Sequence, residues 1–222
     1  MRMAEGRPAA PAVRASFERR AGPGRALAGQ ADGVARACRD MAERFRGGGR
    51  LIVFGSGGAA ADAQHIAVEF VHPVIVGKRA LPAVSLTDDA AALTGIAAAE
   101  GPEEVFAAQV RLLGAPHDIA LGLSADGRCP EVRRGLAAAR GLGMLTVALA
   151  GAGGGDVAAE ADHPLTTPCD DPCVVKEMHV TLYHLLWELV HVFLEHPATA
   201  ERSDGHGDGH GDGQGGGHGD GH

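Results

Sequence analysis

Two residues four apart, His65 and Glu69, carry the first chemical signal in the chain. On a helix that spacing places an imidazole and a carboxylate on one face, where they can converge on a metal ion or a substrate carbon. The same spacing also suits a plain solvated ion pair, so it takes its meaning from what surrounds it. Leu51 to Phe54 is a short apolar run, Gly55-Ser56-Gly57-Gly58 reads as a turn, and the residues from Ala59 to Glu69 are compatible with a helix. Gly55, Gly57 and Gly58 permit positive φ and close backbone approach. A helix starting near Ala59 or Ala60 would point its N–H groups and dipole at an anion held by the turn. That favours a phosphate or carboxylate ligand, with His65 and Glu69 about one turn above it, an arrangement suited to proton transfer beside a phosphosugar. Glycine at a strand–turn–helix corner also serves packing alone, and the turn by itself leaves that alternative open.

Composition sets the outer limits. The chain has 222 residues, 45% of them hydrophobic and only 4% aromatic, enough for one core and roughly one domain of helices packed closely on a sheet. The net charge of −8 includes Asp204, Asp208, Asp212 and Asp220 of a terminal tail, and without them the balance is ordinary. Nucleic acid is an improbable main ligand on that balance, although residues 1–50 hold eleven arginines against five acids. No run approaches the roughly 18 apolar residues of a membrane span, and no signal peptide opens the chain, so the expected location is cytoplasmic. Cys38, Cys129, Cys169 and Cys173 are expected as reduced thiols; Cys169 and Cys173 resemble half a metal site with no second pair.

The elements that must position the pair follow from the apolar pattern. Residues 1–11 read as a flexible start, and helices are expected over 12–20 and 26–46 with a turn at Gly22-Pro23-Gly24. Apolar runs at Leu51–Phe54, Ala83–Leu86, Ile119–Ser124, Met144–Leu149 and, more poorly, Pro164–Thr167 alternate with helical stretches at 60–71, 90–98, 103–112 and 129–142. Such alternation implies an α/β fold with a parallel sheet covered on both faces. A long amphipathic helix from Pro172 to Leu194 carries Lys176, His179, His184 and Glu188.

The stretch from Gly55 to His65 together with Glu69 resembles the fingerprint of bacterial phosphoheptose isomerases, in the sugar isomerase (SIS) domain family. The similarity continues through Leu81 to Asp89, Ala92 to Ile96, Glu104 to Gln109, Gly143-Met144, Glu177 to His179 and His184, over about residues 12–194. The resemblance implies a three-layer α/β sandwich on a five-stranded, flavodoxin-like parallel sheet, and a homotetramer assembled through the N-terminal helices with active sites between subunits. It implies an aldose/ketose isomerase acting on sedoheptulose 7-phosphate or a related phosphosugar, with Glu69 as the base and His184 as its partner acid/base. It also implies zinc at His65, Glu69 and His184, and no nucleotide cofactor. Phosphate and substrate contacts map to Gly55, Ser56, Gly57, Gly58, Asp89, Ser124, Asp126, Gly127, Arg128 and Lys176.

Departures from the family pattern concentrate where the phosphate would sit. The family's Gly-Asn-Gly-Gly-Ser reads Gly55-Ser56-Gly57-Gly58-Ala59, and its second loop, Ser-Thr-Ser-Gly-Asn-Ser, reads Ser124-Ala125-Asp126-Gly127-Arg128-Cys129. A carboxylate about 4 Å from one unit of phosphate charge costs on the order of 4 kcal/mol at an effective dielectric near 20, more than a lost hydroxyl bond of ~1 kcal/mol. Arg128 offsets that charge, or Asp126 turns outward. Pro73 replaces an arginine, and Lys176 stands where a glutamine ligand to zinc is expected, either as a positive charge for the carbonyl or as a surface lysine shielding Glu177 or Asp171. The alternative reading of these changes is a non-catalytic SIS-fold sugar-phosphate-binding or scaffold protein.

The tail carries a separate signal. From Ser203 it repeats Asp, Gly and His with no apolar side chain to bury, so disorder is expected. His206, His210, His218 and His222 with interleaved aspartates make a flexible chelator for nickel or zinc, which points to a metal-handling accessory with a nickel-enzyme maturation partner, or to adventitious affinity alone.

Overall fold

The structure, a computed structural model, describes residues 9–196. Strands β1 (Leu51–Gly55), β2 (Ala83–Ser85), β3 (Ile119–Ser124), β4 (Leu145–Ala150) and β5 (His163–Thr166) form one sheet in the order β2-β1-β3-β4-β5. Every pairing is parallel. β1, β3 and β4 are buried along their whole length, which is why they read as continuous apolar runs rather than as alternation. β5 pairs with β4 alone, and an edge position tolerates Pro164, whose missing N–H weakened the sequence signal there.

Eight α-helices pack around the sheet among the described residues: α1 (Ala9–Ala28), α2 (Ala31–Arg46), α3 (Gly58–Val71), α4 (Ala90–Glu100), α5 (Val105–Leu113), α6 (Pro130–Gly141), α7 (Gly155–Ala159) and α8 (Pro172–Glu195). Met41 and Phe45 of α2, Phe70 of α3, and Leu182 and Trp187 of α8 pack with Val53, Leu121 and Val147 on one face. Phe106 and Val110 of α5 and Leu136 of α6 pack with Ile52, Phe54, Ala120 and Ala148 on the other. Neighbouring strand residues thus feed opposite cores, as the period of two requires. The result is the expected three-layer, flavodoxin-like α/β sandwich, whose strand order reverses at β1 and β3.

Two expectations near the N-terminus need correction. No turn forms at Gly22-Pro23-Gly24: α1 runs straight through with Pro23 inside it, and the chain turns at Gly29 and Gln30 instead. Arg20 before the proline pairs with Glu177 of α8, and Leu27 after it is buried in the core, so α1 is anchored on both sides of the donor it lacks at Pro23. Residues 9–11, assigned to the flexible start, already belong to α1. α7, five residues in a glycine-rich stretch, has no periodicity to announce it. The stretch 197–222, with His206, His210, His218 and His222, lies outside the described residues.

Candidate active site

The glycine turn between β1 and α3 sits at the carboxyl end of the sheet. A side chain on Gly55 would place its Cβ 2.9 Å from Ala59 Cβ and 3.0 Å from the Leu123 carbonyl oxygen, so the close approach of strand and helix requires glycine. Gly57 adopts φ +60° as the residue before α3. Gly58 needs glycine for neither reason: its φ is not positive and the space beside it is open.

α3 carries Asp62, His65 and Glu69 along one face, and α8 presents Lys176, Tyr183, His184 and Trp187 to it. Glu69 Oε1 lies 3.3 Å from His65 Nε2 and 3.2 Å from His184 Nε2. The Glu69 side chain is 11% exposed, whereas His65 and His184 are 47% and 45% exposed, so the carboxylate forms the floor and the two imidazoles the rim. His184 Nδ1 is 2.7 Å from the Val180 carbonyl oxygen. That contact makes Nδ1 the donor, so Nε2 is the atom free to carry a proton or a ligand bond toward Glu69. Trp187 Nε1 donates to the Glu69 carbonyl at 2.9 Å and fixes the backbone under the carboxylate.

Tyr183 closes one side, its ring centroid 4.8 Å from that of His184 and 5.6 Å from that of His65. Desolvation, with the charges of Asp62 and Glu69, pushes its phenol up to about 12, so it stays a neutral hydroxyl. Asp62, nearly buried, accepts a 2.7 Å bond from Lys176 Nζ, which also donates to the Gly58 carbonyl at 3.0 Å. Lys176 is therefore committed to the foot of α3 beside the glycine turn. It does not shield Glu177 or Asp171: Glu177 pairs with Arg20, and Asp171 accepts from Cys173 N and Val174 N as the cap of α8. Asp62 was missed from sequence, although its spacing of three and seven from His65 and Glu69 puts it on the same helix face.

The remaining expected contacts separate from this cluster. Asp89 caps α4, accepting from Ala91 N at 2.9 Å and Ala92 N at 3.0 Å. Ser124, fully buried, donates its hydroxyl to Asp126 Oδ1 at 3.2 Å, and the same oxygen accepts from Arg128 N at 2.9 Å. Asp126 thus turns into its own loop rather than outward, and the Arg128 amide hydrogen bond holds its carboxyl below the usual range. Gly127 takes φ +69°. Ser56, with Gly55, Gly57 and Ala60, lines a cavity of about 670 Å³ between α4, α5 and α6, so the glycine corner opens on this cavity, whose lining excludes His65, Glu69 and His184. Arg134 of that cavity pairs with Glu103 and Glu104 and Arg133 with Glu160, whereas the two half-exposed imidazoles meet a shared carboxylate, which makes their cluster the better candidate for proton transfer.

The donor set also suits a metal. The ligand atoms of His65, Glu69 and His184 all lie within 4.8 Å of one another. Ligands ~2.0–2.1 Å from a tetrahedral zinc stand roughly 3.4 Å apart, close to the separations seen, and three protein ligands leave a fourth position open. Lys176, held by Asp62, supplies no fourth ligand.

A doubly wound α/β domain with a histidine–carboxylate–histidine cluster beside a glycine-turned helix defines the class. The SIS domain model matches residues 23–151. The phosphoheptose isomerase of Roseiflexus sp. is 40% identical over 166 residues, covering 75% of this chain and 84% of that protein. That of Solidesulfovibrio magneticus is 43% identical over 158 residues, covering 71% and 77%. The solved phosphoheptose isomerase from Neisseria gonorrhoeae superposes with a TM-score of 0.76 at 30% identity, covering 82% of this chain and 98% of that one. The chain belongs to the SIS domain family, in its phosphoheptose isomerase branch. Among the described residues no helix is long and apolar enough to cross a membrane.

Proposed function

We propose that the chain is a sugar-phosphate aldose/ketose isomerase of the phosphoheptose isomerase type, acting on sedoheptulose 7-phosphate or a related phosphosugar. The observation that carries this reading is the meeting of Glu69, from the glycine-turned helix, with His184, from the closing helix, at 3.2 Å. Glu69 takes the proton from the carbon beside the carbonyl, and His184 exchanges a proton through Nε2, its Nδ1 being committed to Val180. The glycine corner, with the dipole of α3 and the Lys176 ammonium beside it, anchors the phosphate away from the reacting carbons.

Zinc held by His65, Glu69 and His184 would polarise the substrate carbonyl. His184 Nε2 carries a proton or a metal bond, one at a time, so the two uses are separable by experiment. The chain acts as a homotetramer: Val68 beside Glu69 and Leu185 beside His184 are exposed apolar neighbours that a second subunit would cover. The tail histidines His206, His210, His218 and His222 add a separate nickel or zinc site in this reading.

The test is solvent-deuterium exchange into sedoheptulose 7-phosphate, followed by NMR on zinc-stripped and zinc-loaded protein. Exchange in either form supports the isomerase, and its dependence on zinc assigns His184 to one use. No exchange in either form leaves the binding or scaffold reading.

A further inference from the structure

We infer that Asp126 is a specificity-determining residue: its carboxylate fills the turn at the carboxyl end of β3, so a substrate's phosphate is anchored by the glycine corner and not by this turn. The inference rests on the sugar-phosphate isomerase reading and refines where that substrate's anion sits.

The turn from Ser124 to Cys129 follows β3, the central neighbour of β1, and so faces the crevice where the strand order reverses, the usual ligand position in such sheets. It leads into the twelve-residue helix α6. Three donors of different kinds converge there on one oxygen. Ser124 Oγ is 3.2 Å, Arg128 N 2.9 Å and Cys129 Sγ 3.8 Å from Asp126 Oδ1. Hydroxyl, amide and thiol are what an incoming anion would need, and the chain has brought its own anion to them. Ser124 is wholly buried, which leaves its hydroxyl no second direction toward an external ligand.

The turn is also held in shape. Gly127 has φ +69°, and a Cβ there would lie 2.4 Å from the Gly154 carbonyl oxygen, so the backbone sits hard against the neighbouring loop. A cavity of about 480 Å³ opens beside it, lined by Ala125, Asp126, Arg128, Ala152, Asp170 and Pro172. There is room for a ligand, but its wall carries two carboxylates against one guanidinium, a balance that repels a phosphate dianion. At the glycine corner Lys176 pairs with Asp62, so no net negative side-chain charge from that pair opposes the positive end of the α3 dipole.

Asp126→Ser and Asp126→Asn in the full chain, titrated calorimetrically with inorganic phosphate, test the assignment. The serine variant is expected to bind phosphate at least tenfold more tightly than the native chain. The asparagine variant, which keeps an acceptor for Arg128 N without the charge, should fall between and carries the test if the serine variant fails to fold. Alkylation of Cys129 reports the location: added phosphate should protect this thiol in the serine variant and not in the native chain. Unchanged phosphate affinity in both variants, or equal protection of Cys129 in the native chain, overturns the inference. Phosphate titration needs no turnover, so a chain lacking all isomerase activity but gaining phosphate affinity on Asp126→Ser would sink the functional reading and leave this one standing.

Discussion

Replacing Glu69 by glutamine removes one charge and almost no volume from the floor of the site. Glu69 Oε1 lies 3.2 Å from His184 Nε2, and the amide keeps that contact without the charge. The amide also cannot accept a proton from carbon, and general-base catalysis contributes typically 10²–10⁴-fold. A fall in kcat of that order is expected, ~3–5 kcal/mol in barrier height, with KM within about a factor of three because the phosphate anchor is untouched. Trp187 bonds the Glu69 carbonyl and not its side chain, so the fold should be unchanged by circular dichroism. Glu69→Asp, which keeps the base but withdraws it by one methylene, should recover part of the loss. Deuterium exchange into sedoheptulose 7-phosphate reads the chemical step directly. A Glu69→Gln protein exchanging within tenfold of the native rate would refute Glu69 as the base.

Three further outcomes are expected. Lys176→Met leaves the nearly buried Asp62 without its cation; because Lys176 is half exposed, the expected cost is about 1–3 kcal/mol, read by urea denaturation, and Asp62→Asn in the same chain should relieve most of it. Burial pulls the buried His179 imidazole down to about 4. Its neutral form is therefore fully compatible with the fold above about pH 6.5, and as pH falls from 6.5 toward 4 the unfolded chain gains a proton that the folded chain refuses. Stability on the order of 3 kcal/mol should be lost across that window, with no further loss from this group below it. His179→Gln should flatten the difference, and an identical pH dependence in both proteins would contradict it. Ending the chain at Ala200 removes His206, His210, His218 and His222 and should lower nickel uptake measured by metal analysis; equal uptake would dismiss the tail as a chelator.

Much of the architecture could be read from residues because glycine turns punctuate apolar runs of strand length. Leu51–Phe54 and Ile119–Ser124 are buried on both faces, and the helices between them keep their period. The failures have local causes. Gly22-Pro23-Gly24 carries every mark of a turn, but the contacts of Arg20 and Leu27 with the body of the domain lie on both sides of it and keep α1 whole. His65 and Glu69 were visible through their spacing, and His184 through resemblance. Asp62 was hidden because an aspartate on a helix face usually looks outward, and only the approach of Lys176 from a distant part of the chain turns it in. The direction of Asp126 was equally illegible, since it depends on where the Arg128 amide and Ser124 hydroxyl point.

The contacts between α3 and α8 advance together along both helices, from Asp62 with Lys176 to Glu69 with His184. The two helices therefore run side by side in the same direction, and sliding one past the other by a single turn would mismatch every rung at once. Reactive groups mounted on such a ladder stay aligned whatever happens in the connecting loops. Selection can thus rewrite the turns at the carboxyl end of the sheet, as at residues 124–129, while the two helices behind them keep their alignment.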